Sequence, residues 1–131
     1  MSQLPKILGV DDEAQIQRFL KPSLIASGYI ALSALTGAEA MRAFAVSDPD
    51  AIILDLGLPD VDGKTIIEAI RRTSQVPIIV LSARDKEGEK IEALDLGADD
   101  FVNKPFAIGE LLARIRSALR RRASEPAPPP K

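Results

Sequence analysis

The sequence predicts an α/β fold in which a parallel five-stranded sheet lies between two layers of helices. Short apolar runs alternate with longer amphipathic stretches five times along the 131 residues. Such alternation is typical of strands joined by right-handed helical crossovers, which cover both faces of a parallel sheet. The third and fourth runs are almost continuously apolar, as expected of strands that are buried on both faces.

The apolar runs and the amphipathic stretches give the predicted elements in chain order. Aromatic residues make up only 4% of the chain, so the core must be built from Ile, Leu, Val and Ala. The predicted strands span residues 7–10, 29–34, 51–54, 78–81 and 100–102, and the predicted helices span residues 14–26, 38–46, 65–72, 86–96 and 108–122.

Local signals mark several helix ends. Thr36 is a capping residue for the second helix, and Glu39, three positions later, is its expected capping-box partner. Asp62-Gly63 marks the turn into the third helix, and Gly97 stands where a glycine is expected after the fourth helix.

Pro22 lies inside the first predicted helix and should destabilise it. Proline inside a helix removes a backbone N–H and costs about 3 kcal/mol. We therefore expect a kink at Pro22 or a break near Leu20.

Composition excludes several classes of function. The net charge is -2, and no apolar run approaches the roughly 20 residues that span a bilayer, so neither nucleic acid nor membrane is an expected partner. The amino terminus lacks the layout of a signal peptide, so a cytoplasmic location is expected. The chain contains no Cys and no His, which excludes disulfides, thiolate zinc sites and Ser-His-Asp triads. Any chemistry must use carboxylates, hydroxyls, Lys and the backbone.

The last residues predict a linker. We expect residues 1–122 to form one domain, because this length is enough to bury a single core. Residues 123–131 hold four of the ten prolines, and such a stretch forms an extended, semi-rigid spacer. A disordered terminus is the alternative interpretation.

Polar side chains follow four of the predicted strands. In a flavodoxin-like sheet of order 2-1-3-4-5, ligands bind beyond the carboxyl ends of the strands, where the first and third strands are neighbours. Asp11 and Asp12 follow the first strand and Asp55 the third, so three aspartates would share one cleft. Their mutual repulsion requires a cation, and hard oxygen ligands suit Mg²⁺ or Mn²⁺. Ser82 and Lys104 follow the fourth and fifth strands.

These residue types predict phosphoryl chemistry. A divalent cation, the Lys104 ammonium and the Ser82 hydroxyl could stabilise the charge on phosphoryl oxygens. Asp55 could then be the nucleophile that forms an acyl phosphate. Taken singly, each residue has an ordinary alternative, since acids such as Asp12 and Glu13 commonly cap helices. Their placement at four strand ends favours a shared site.

Five motifs in one order carry a resemblance to a known family. The chain resembles the receiver domain of two-component response regulators over about residues 5–122, and it is most similar to the OmpR/PhoB subfamily. The motifs are DDE (11–13), IILDLGLPDVDG (52–63), VPIIVLSAR (76–84), GADDF (97–101) and NKPF (103–106).

The resemblance implies a phosphorylation site and a metal site. Asp55 would be the phosphoryl acceptor. Asp12, Asp55 and the backbone carbonyl of Gly57 would bind Mg²⁺, and Asp11 would contact the ion through water.

The resemblance also implies residues that respond to phosphorylation. Lys104 would contact the acceptor or its phosphoryl oxygens, and the Lys104–Pro105 bond is often cis in this family. Ser82 and Phe101 would be the two switch positions. Phe101 lacks the hydroxyl of the Tyr that is common there, and Arg84 occupies a position that affects phosphate loss in the family.

The partners follow from the same resemblance. A sensor histidine kinase would donate the phosphoryl group, and the chain would then form a homodimer through its fourth helix, fifth strand and fifth helix. In full-length members a DNA-binding domain follows the linker, so DNA contact and transcriptional control would need that domain. The matching interface positions are Lys90, Ile91, Leu94, Asp99, Asp100, Glu110, Ala113, Arg114 and Arg121.

Other functions fit less well. An Mg²⁺-dependent phosphohydrolase with an aspartyl nucleophile usually places a second Asp two residues later, where this chain has Gly57. We therefore expect no enzyme beyond phosphoryl transfer to Asp55 and its loss. Neither nucleotide-binding glycine motif is present. The arginines of the last helix could contact DNA, but basic residues there also stabilise the helix dipole.

Overall fold

The computed structural model describes residues 3–83 and 87–124. Arg84, the predicted helix start at Lys86 and residues 125–131 of the predicted linker lie outside these ranges. The first two residues of the predicted linker, Ala123 and Ser124, belong instead to the last helix. Among the described residues, no helix has the length and hydropathy needed to cross a membrane. The elements are β1 (Lys6–Val10), α1 (Ala14–Ala26), β2 (Ile30–Ala34), α2 (Gly37–Ser47), β3 (Ala51–Asp55), α3 (Gly63–Arg71), β4 (Ile78–Ala83), α4 (Glu87–Leu96), β5 (Asp100–Lys104) and α5 (Ile108–Ser124).

The strands form one parallel sheet of order β2-β1-β3-β4-β5, which confirms the predicted fold. β1 lies between β2 and β3, with Leu8 opposite both Leu32 and Ile52. The register continues to Val10 opposite Leu54, so β1 and β3 end side by side. This pairing places the residues that follow β1 next to the end of β3.

Helices cover both faces of the sheet, and alternate residues of each strand point to opposite faces. On one face, Ile52 and Leu54 of β3 belong to a buried cluster that includes residues of α2, α3 and α4. On the other face, Ile53 belongs to a second cluster with residues of α1 and α5. Each fully buried aliphatic side chain contributes roughly 1.5–3 kcal/mol, so these two clusters hold the strand ends in place.

Helix α1 passes through Pro22 without interruption, so the predicted break near Leu20 is wrong. Leu20 and Leu24 lie on either side of the proline and are buried, whereas Pro22 itself is exposed. Burial of the two leucines offsets the lost hydrogen bond, because tertiary packing supplies most of the stability of a helix in a protein. The kink stays a prediction.

The predicted capping residues lie at the helix ends as expected, but one of their hydrogen bonds differs from the expected pattern. The Thr36 hydroxyl accepts a hydrogen bond from the Glu39 N–H at 3.1 Å. The Glu39 carboxylate accepts from the N–H of Leu35 at 3.0 Å, one residue earlier than a capping box requires. Asp62 caps α3 with its side chain, and Gly97 follows α4 with a φ of 117°.

Candidate functional site

The three aspartates converge at the carboxyl edge of the sheet. One carboxylate oxygen from each of Asp11, Asp12 and Asp55 lies within 4.8 Å of the other two. Asp11 follows β1, and Asp55 is the last residue of the neighbouring β3. Asp11 and Asp55 are buried, whereas Asp12 is exposed. The cluster is therefore anchored in the core and open on one side.

A cleft of about 480 Å³ opens over this cluster. We call the cleft, together with the buried Asp11, the acidic cleft. It brings the predicted phosphoryl-binding residues Ser82 and Lys104 to the same opening as Asp55. Its lining residues are Asp12, Glu13, Asp55, Leu56, Gly57, Ser82, Ala83, Glu89 and Lys104.

Lys104 is surrounded by carboxylates. Its Nζ lies 2.9 Å from Asp11 Oδ2, 2.9 Å from Glu13 Oε1 and 3.4 Å from Asp55 Oδ2. Burial would lower the pKa of Lys104, but its contacts with Glu13 and Asp11 and the charge of Asp55 raise that pKa well above the ordinary value. Lys104 is thus a permanent positive charge at the cleft.

The surroundings of Asp11 disfavour its ionised form. Burial raises the pKa of Asp11, against the opposing effects of a hydrogen bond from the Glu13 N–H and the nearby Lys104. The Glu13 N–H donates to Asp11 Oδ1 at 2.9 Å. The buried Asp11 Oδ2 has no well-aligned hydrogen-bond donor among the described residues, and its 2.9 Å contact with Lys104 is an ion pair. An oxygen in this position still has capacity for a cation.

The donor set fits a hard divalent ion. Three carboxylates offer oxygens within a span that one ion can bridge, and one of these oxygens is buried and poorly hydrogen-bonded. Oxygen-only sites of this kind suit Mg²⁺ and Mn²⁺. Gly57 lies on the cleft wall, and its N–H donates to Asp55 Oδ1 at 3.2 Å. Asp11, Asp12, Asp55 and the Gly57 carbonyl could therefore hold the ion.

Asp60 fixes the loop that carries Gly57. Its carboxylate oxygens accept hydrogen bonds from the N–H groups of Gly37 at 2.8 Å and Ala38 at 3.0 Å, at the start of α2. The bond from Gly37, with other backbone donors, keeps the pKa of Asp60 below its ordinary value. The loop after β3 is thus tied to the neighbouring helix.

The two predicted switch residues occupy different surroundings. Ser82 is buried near the end of β4 and lines the acidic cleft. Phe101 in β5 is half-buried against the cluster that contains Ile52, and Lys90 Nζ lies 5.9 Å from the centre of its ring. This distance is within the range of a cation–π contact. The Lys104–Pro105 peptide bond is cis.

The predicted dimer positions lie on α4, β5, α5 and the short turn before β5. Two of them are exposed apolar side chains on α4, Ile91 at 53% and Leu94 at 39% exposure. Lys90 is half-buried on the same helix, while Ala113 and Arg121 are exposed on α5. An apolar strip flanked by α5 residues is therefore available for contact.

Four of the charged dimer positions, Asp99, Asp100, Glu110 and Arg114, already have ion-pair partners within the chain. Arg114 contacts both Asp100 and Glu110 at 3.0 Å, and the hydrogen bonds from these carboxylates raise the pKa of Arg114. Asp99 Oδ2 lies 2.9 Å from Arg71 Nη2. The structure contains no second chain, so the homodimer itself stays a prediction.

Arg71 is a central residue that sequence reasoning missed. Its guanidinium donates to the carbonyls of Gly97 at 3.0 Å, Ser74 at 3.1 Å and Val76 at 2.8 Å, and to Asp99 Oδ2 at 2.9 Å. Burial lowers the pKa of Arg71, and the charge of Asp99 opposes this. We call this group of five residues the Arg71 clasp. No local sequence signal links Arg71 to Asp99.

Gln17 and Glu13 support the cleft from α1, and neither was assigned a role there. Gln17 Nε2 donates to the carbonyls of Gly9 at 3.0 Å and Asp11 at 3.1 Å, which fixes the backbone that presents the aspartates. Helix capping was the ordinary alternative for Glu13, yet its side chain makes no capping hydrogen bond. The carboxylate of Glu13 contacts Lys104 instead.

The geometry and the sequence agree with one family. The sequence model described as the response regulator receiver domain matches residues 7–116. This chain belongs to the response regulator receiver domain family. Curated relatives show the same relationship. The receiver is 50% identical over 127 residues to the KDP operon transcriptional regulatory protein KdpE of Escherichia coli strain K12, covering 97% of this chain and 56% of the relative.

A second relative supports this placement. The receiver is also 50% identical over 115 residues to the transcriptional regulatory protein KdpE of Mycobacterium tuberculosis strain H37Rv, covering 88% of this chain and 51% of that protein. The chain therefore spans about half the length of the curated relatives it matches. The predicted resemblance to receivers of the OmpR/PhoB type is confirmed.

Solved structures confirm the receiver fold. A receiver domain protein described as CheY-like, from Methanospirillum hungatei, superposes with a TM-score of 0.90 at 26% identity, over 95% of this chain and 100% of that one. The receiver domain of the Francisella response regulator 1452 superposes with a TM-score of 0.84 at 34% identity, over 90% of this chain and 98% of that one. The chain is thus a regulatory rather than a metabolic protein.

Proposed function

We propose that this receiver accepts a phosphoryl group on Asp55 from a sensor histidine kinase. The observation that carries the proposal is the convergence of Asp11, Asp12 and Asp55 with Ser82 and Lys104 in one cleft. Carboxylates that repel one another, beside a hydroxyl and a fixed ammonium, form a site for a divalent cation and a phosphoryl group.

The transfer uses Asp55 as the nucleophile. An Asp55 carboxylate oxygen attacks the phosphorus of the donor, and the bond from phosphorus to the leaving group breaks with its electron pair going to that group. The products are an acyl phosphate on Asp55 and the free leaving group. Lys104 would neutralise charge on the phosphoryl oxygens, and the Ser82 hydroxyl would donate a hydrogen bond to one of them.

Asp11, Asp12, Asp55 and the Gly57 carbonyl would hold Mg²⁺. Bound Mg²⁺ supplies positive charge that offsets the negative charge of the phosphoryl oxygens. The burial of Asp11 and Asp55 keeps their carboxylates pre-placed at the end of the sheet. The Asp60 contacts with α2 keep the loop carrying Gly57 in position.

Phosphorylation would bias the surface formed by α4, β5 and α5. Ser82 lies in the cleft and Phe101 lies one strand away, so a hydroxyl drawn towards the phosphoryl group could be followed by a rotation of the ring. We propose that the surface then forms a homodimer around Ile91 and Leu94. A two-fold contact is self-complementary, and the mixed charges on this face suit such a pairing.

We propose that the remainder of the function depends on a further domain. We propose that the proline-rich residues after α5 link this receiver to a carboxyl-terminal DNA-binding domain, and that dimerisation controls transcription through that domain. The names of the relatives support this, since both are transcriptional regulatory proteins. This role would place the protein in the cytoplasm.

The test is intact-protein mass after incubation with acetyl phosphate and Mg²⁺. We expect a gain of one phosphoryl group that hydroxylamine removes, because acyl phosphates are labile to this reagent. Asp55→Asn and a metal-free sample should show no gain. An adduct that persists in Asp55→Asn, or none in the wild type while its fold is intact, would contradict the proposal.

A further inference from the structure

We propose that Glu13 is a positioning residue that retains Lys104 in the resting receiver and must release it before Lys104 can bind a phosphoryl group. This inference rests on the proposed function and adds a residue that controls it. Three carboxylates compete for one ammonium in the acidic cleft. Glu13 is the one among them that belongs neither to the acceptor nor to the proposed metal site.

The distances show which carboxylates hold Lys104. Its Nζ lies 2.9 Å from Glu13 Oε1, in hydrogen-bond geometry, but 3.4 Å from Asp55 Oδ2. Asp11 and Glu13, both at 2.9 Å, therefore hold the ammonium more closely than the acceptor does. To neutralise a phosphoryl group on Asp55, Nζ has to exchange at least one of its present partners for a phosphoryl oxygen.

Glu13 is the partner that can be exchanged. The Asp11 side chain is 1% exposed, and moving Lys104 from it would leave a buried carboxylate without its cation. The Glu13 side chain is 55% exposed, so water can solvate it after Lys104 leaves. Of the two carboxylates at 2.9 Å from Lys104, Glu13 is thus the one that can release the ammonium at the lower cost.

The position of Glu13 immediately before α1 supports a role at the cleft. Glu13 stands at the N-cap of α1 with extended backbone angles, where a side chain usually accepts from the first turn of the helix. Its side chain makes no such bond. Its backbone N–H instead orients Asp11, and its carboxylate holds Lys104, so one residue contacts both halves of the site.

The test compares Glu13→Gln with Glu89→Gln in the intact chain. Glu89 lines the same cleft and its substitution removes the same charge, but its carboxylate is not an ion-pair partner of Lys104. Mg²⁺ affinity and then beryllofluoride affinity at saturating Mg²⁺ are measured by calorimetry. The initial rate of phosphoryl gain from acetyl phosphate is followed by intact mass.

We expect Glu13→Gln to bind beryllofluoride roughly two- to fivefold more tightly than the wild type, the range that an exposed ion pair contributes. Its phosphorylation rate should rise by a similar factor. Glu89→Gln should change the affinity less than Glu13→Gln does, because it removes the same charge from the cleft without releasing Lys104. Glu13→Ala should change the affinity for beryllofluoride in the same direction as Glu13→Gln.

Three results would overturn the inference. Equal beryllofluoride affinity in Glu13→Gln and wild type would show that Glu13 does not restrain Lys104. Equal gains in Glu13→Gln and Glu89→Gln would show a general charge effect. If the wild type itself takes up no phosphoryl group and binds no beryllofluoride, the proposed function fails and the inference fails with it.

Discussion

Two cations lie at opposite ends of β4 and β5, and their surroundings differ. At the amino-terminal ends, Arg71 donates to three backbone carbonyls and to Asp99, and Asp99 Oδ2 also accepts from the Ile78 N–H at 2.8 Å. At the carboxyl-terminal ends, Lys104 faces three carboxylates. The Arg71 clasp satisfies its polar groups, whereas the acidic cleft holds more negative charge than one lysine can neutralise.

The two ends of the strands differ in the balance of charge around their cations, and this balance separates a structural contact from a binding site. A buried cation surrounded by neutral carbonyl oxygens and one carboxylate stabilises the fold without attracting a ligand. A group of carboxylates that shares one ammonium costs stability, and under the proposed function the binding of a cation and a phosphoryl group would offset this cost. Ion pairs alone do not distinguish these two cases, but the balance of charge does.

The largest expected effect comes from removing the cation of the acidic cleft. Lys104→Met should weaken beryllofluoride binding by about 100-fold, as the loss of one preorganised charged contact commonly does. The same substitution should tighten Mg²⁺ binding, because a cation that competes for the aspartates is gone. Calorimetry measures both. Weaker Mg²⁺ binding in Lys104→Met would contradict the charge balance that we describe.

Removing the cation of the Arg71 clasp should affect stability instead. Arg71→Met leaves carbonyls of the α3–β4 loop and of Gly97 without their donor, and we expect a loss of roughly 2–4 kcal/mol in the free energy of unfolding. Urea denaturation measures this loss. The exposed neighbour Arg72→Met is the control, with an expected change within about 0.5 kcal/mol. Mg²⁺ affinity should stay unchanged in both, and a large loss of affinity in Arg71→Met would break the comparison.

Asp11→Asn should stabilise the domain without metal. Burial raises the pKa of Asp11, so its ionised form costs folding energy at neutral pH, and the neutral amide should gain roughly 0.5–2 kcal/mol in EDTA. As the pH falls through the pKa of Asp11, the wild-type carboxyl takes up a proton and the advantage should fade. Thermal unfolding at several pH values measures this trend.

Mg²⁺ should reverse the order of thermal stability of the wild type and Asp11→Asn. Because Mg²⁺ binds the folded state, it should raise the thermal midpoint of the wild type and leave Asp11→Asn nearly unchanged. If Asp11→Asn is less stable than the wild type in EDTA at pH 7, Asp11 stabilises the resting fold and the prediction is wrong.

The smallest effect is expected at Arg114, although this residue makes two ion pairs, one with Asp100 and one with Glu110. Its side chain is 39% exposed, and its partner Glu110 is 50% exposed. Arg114→Gln should therefore cost no more than about 1 kcal/mol. Urea denaturation of the monomer tests this. A loss as large as that of Arg71→Met would mean that the number of ion pairs, rather than burial and saturation, sets stability.

Local patterns in the sequence predicted the architecture. The alternation of apolar runs and amphipathic stretches gave all ten elements, with boundaries within two residues of those in the structure wherever they are described. Strand ends that carry Asp11, Asp55 and Ser82 predicted where polar groups would meet, because carboxyl ends of parallel strands share one edge.

Contacts between distant segments could not be predicted in the same way. Arg71 meets Asp99 across 28 positions, and Asp60 meets Gly37 across 23, through turns whose geometry only the folded chain fixes. Pro22 misled the prediction because the burial of Leu20 and Leu24 outweighs its local cost. The contact of Glu13 with Lys104 could not be predicted, since sequence alone does not reveal that a lysine 91 positions away meets its carboxylate.

The most direct test of the account is to record amide and arginine side-chain NMR spectra of the domain before and after Mg²⁺ and beryllofluoride are added. We predict large shifts at Asp55, Ser82 and Lys104. The Arg71 Nε–H signal should stay in place, because its hydrogen bond to Gly97 belongs to the Arg71 clasp. Unchanged signals in the acidic cleft, or shifts at Arg71 as large as those at Lys104, would contradict the division between a binding end and a structural end.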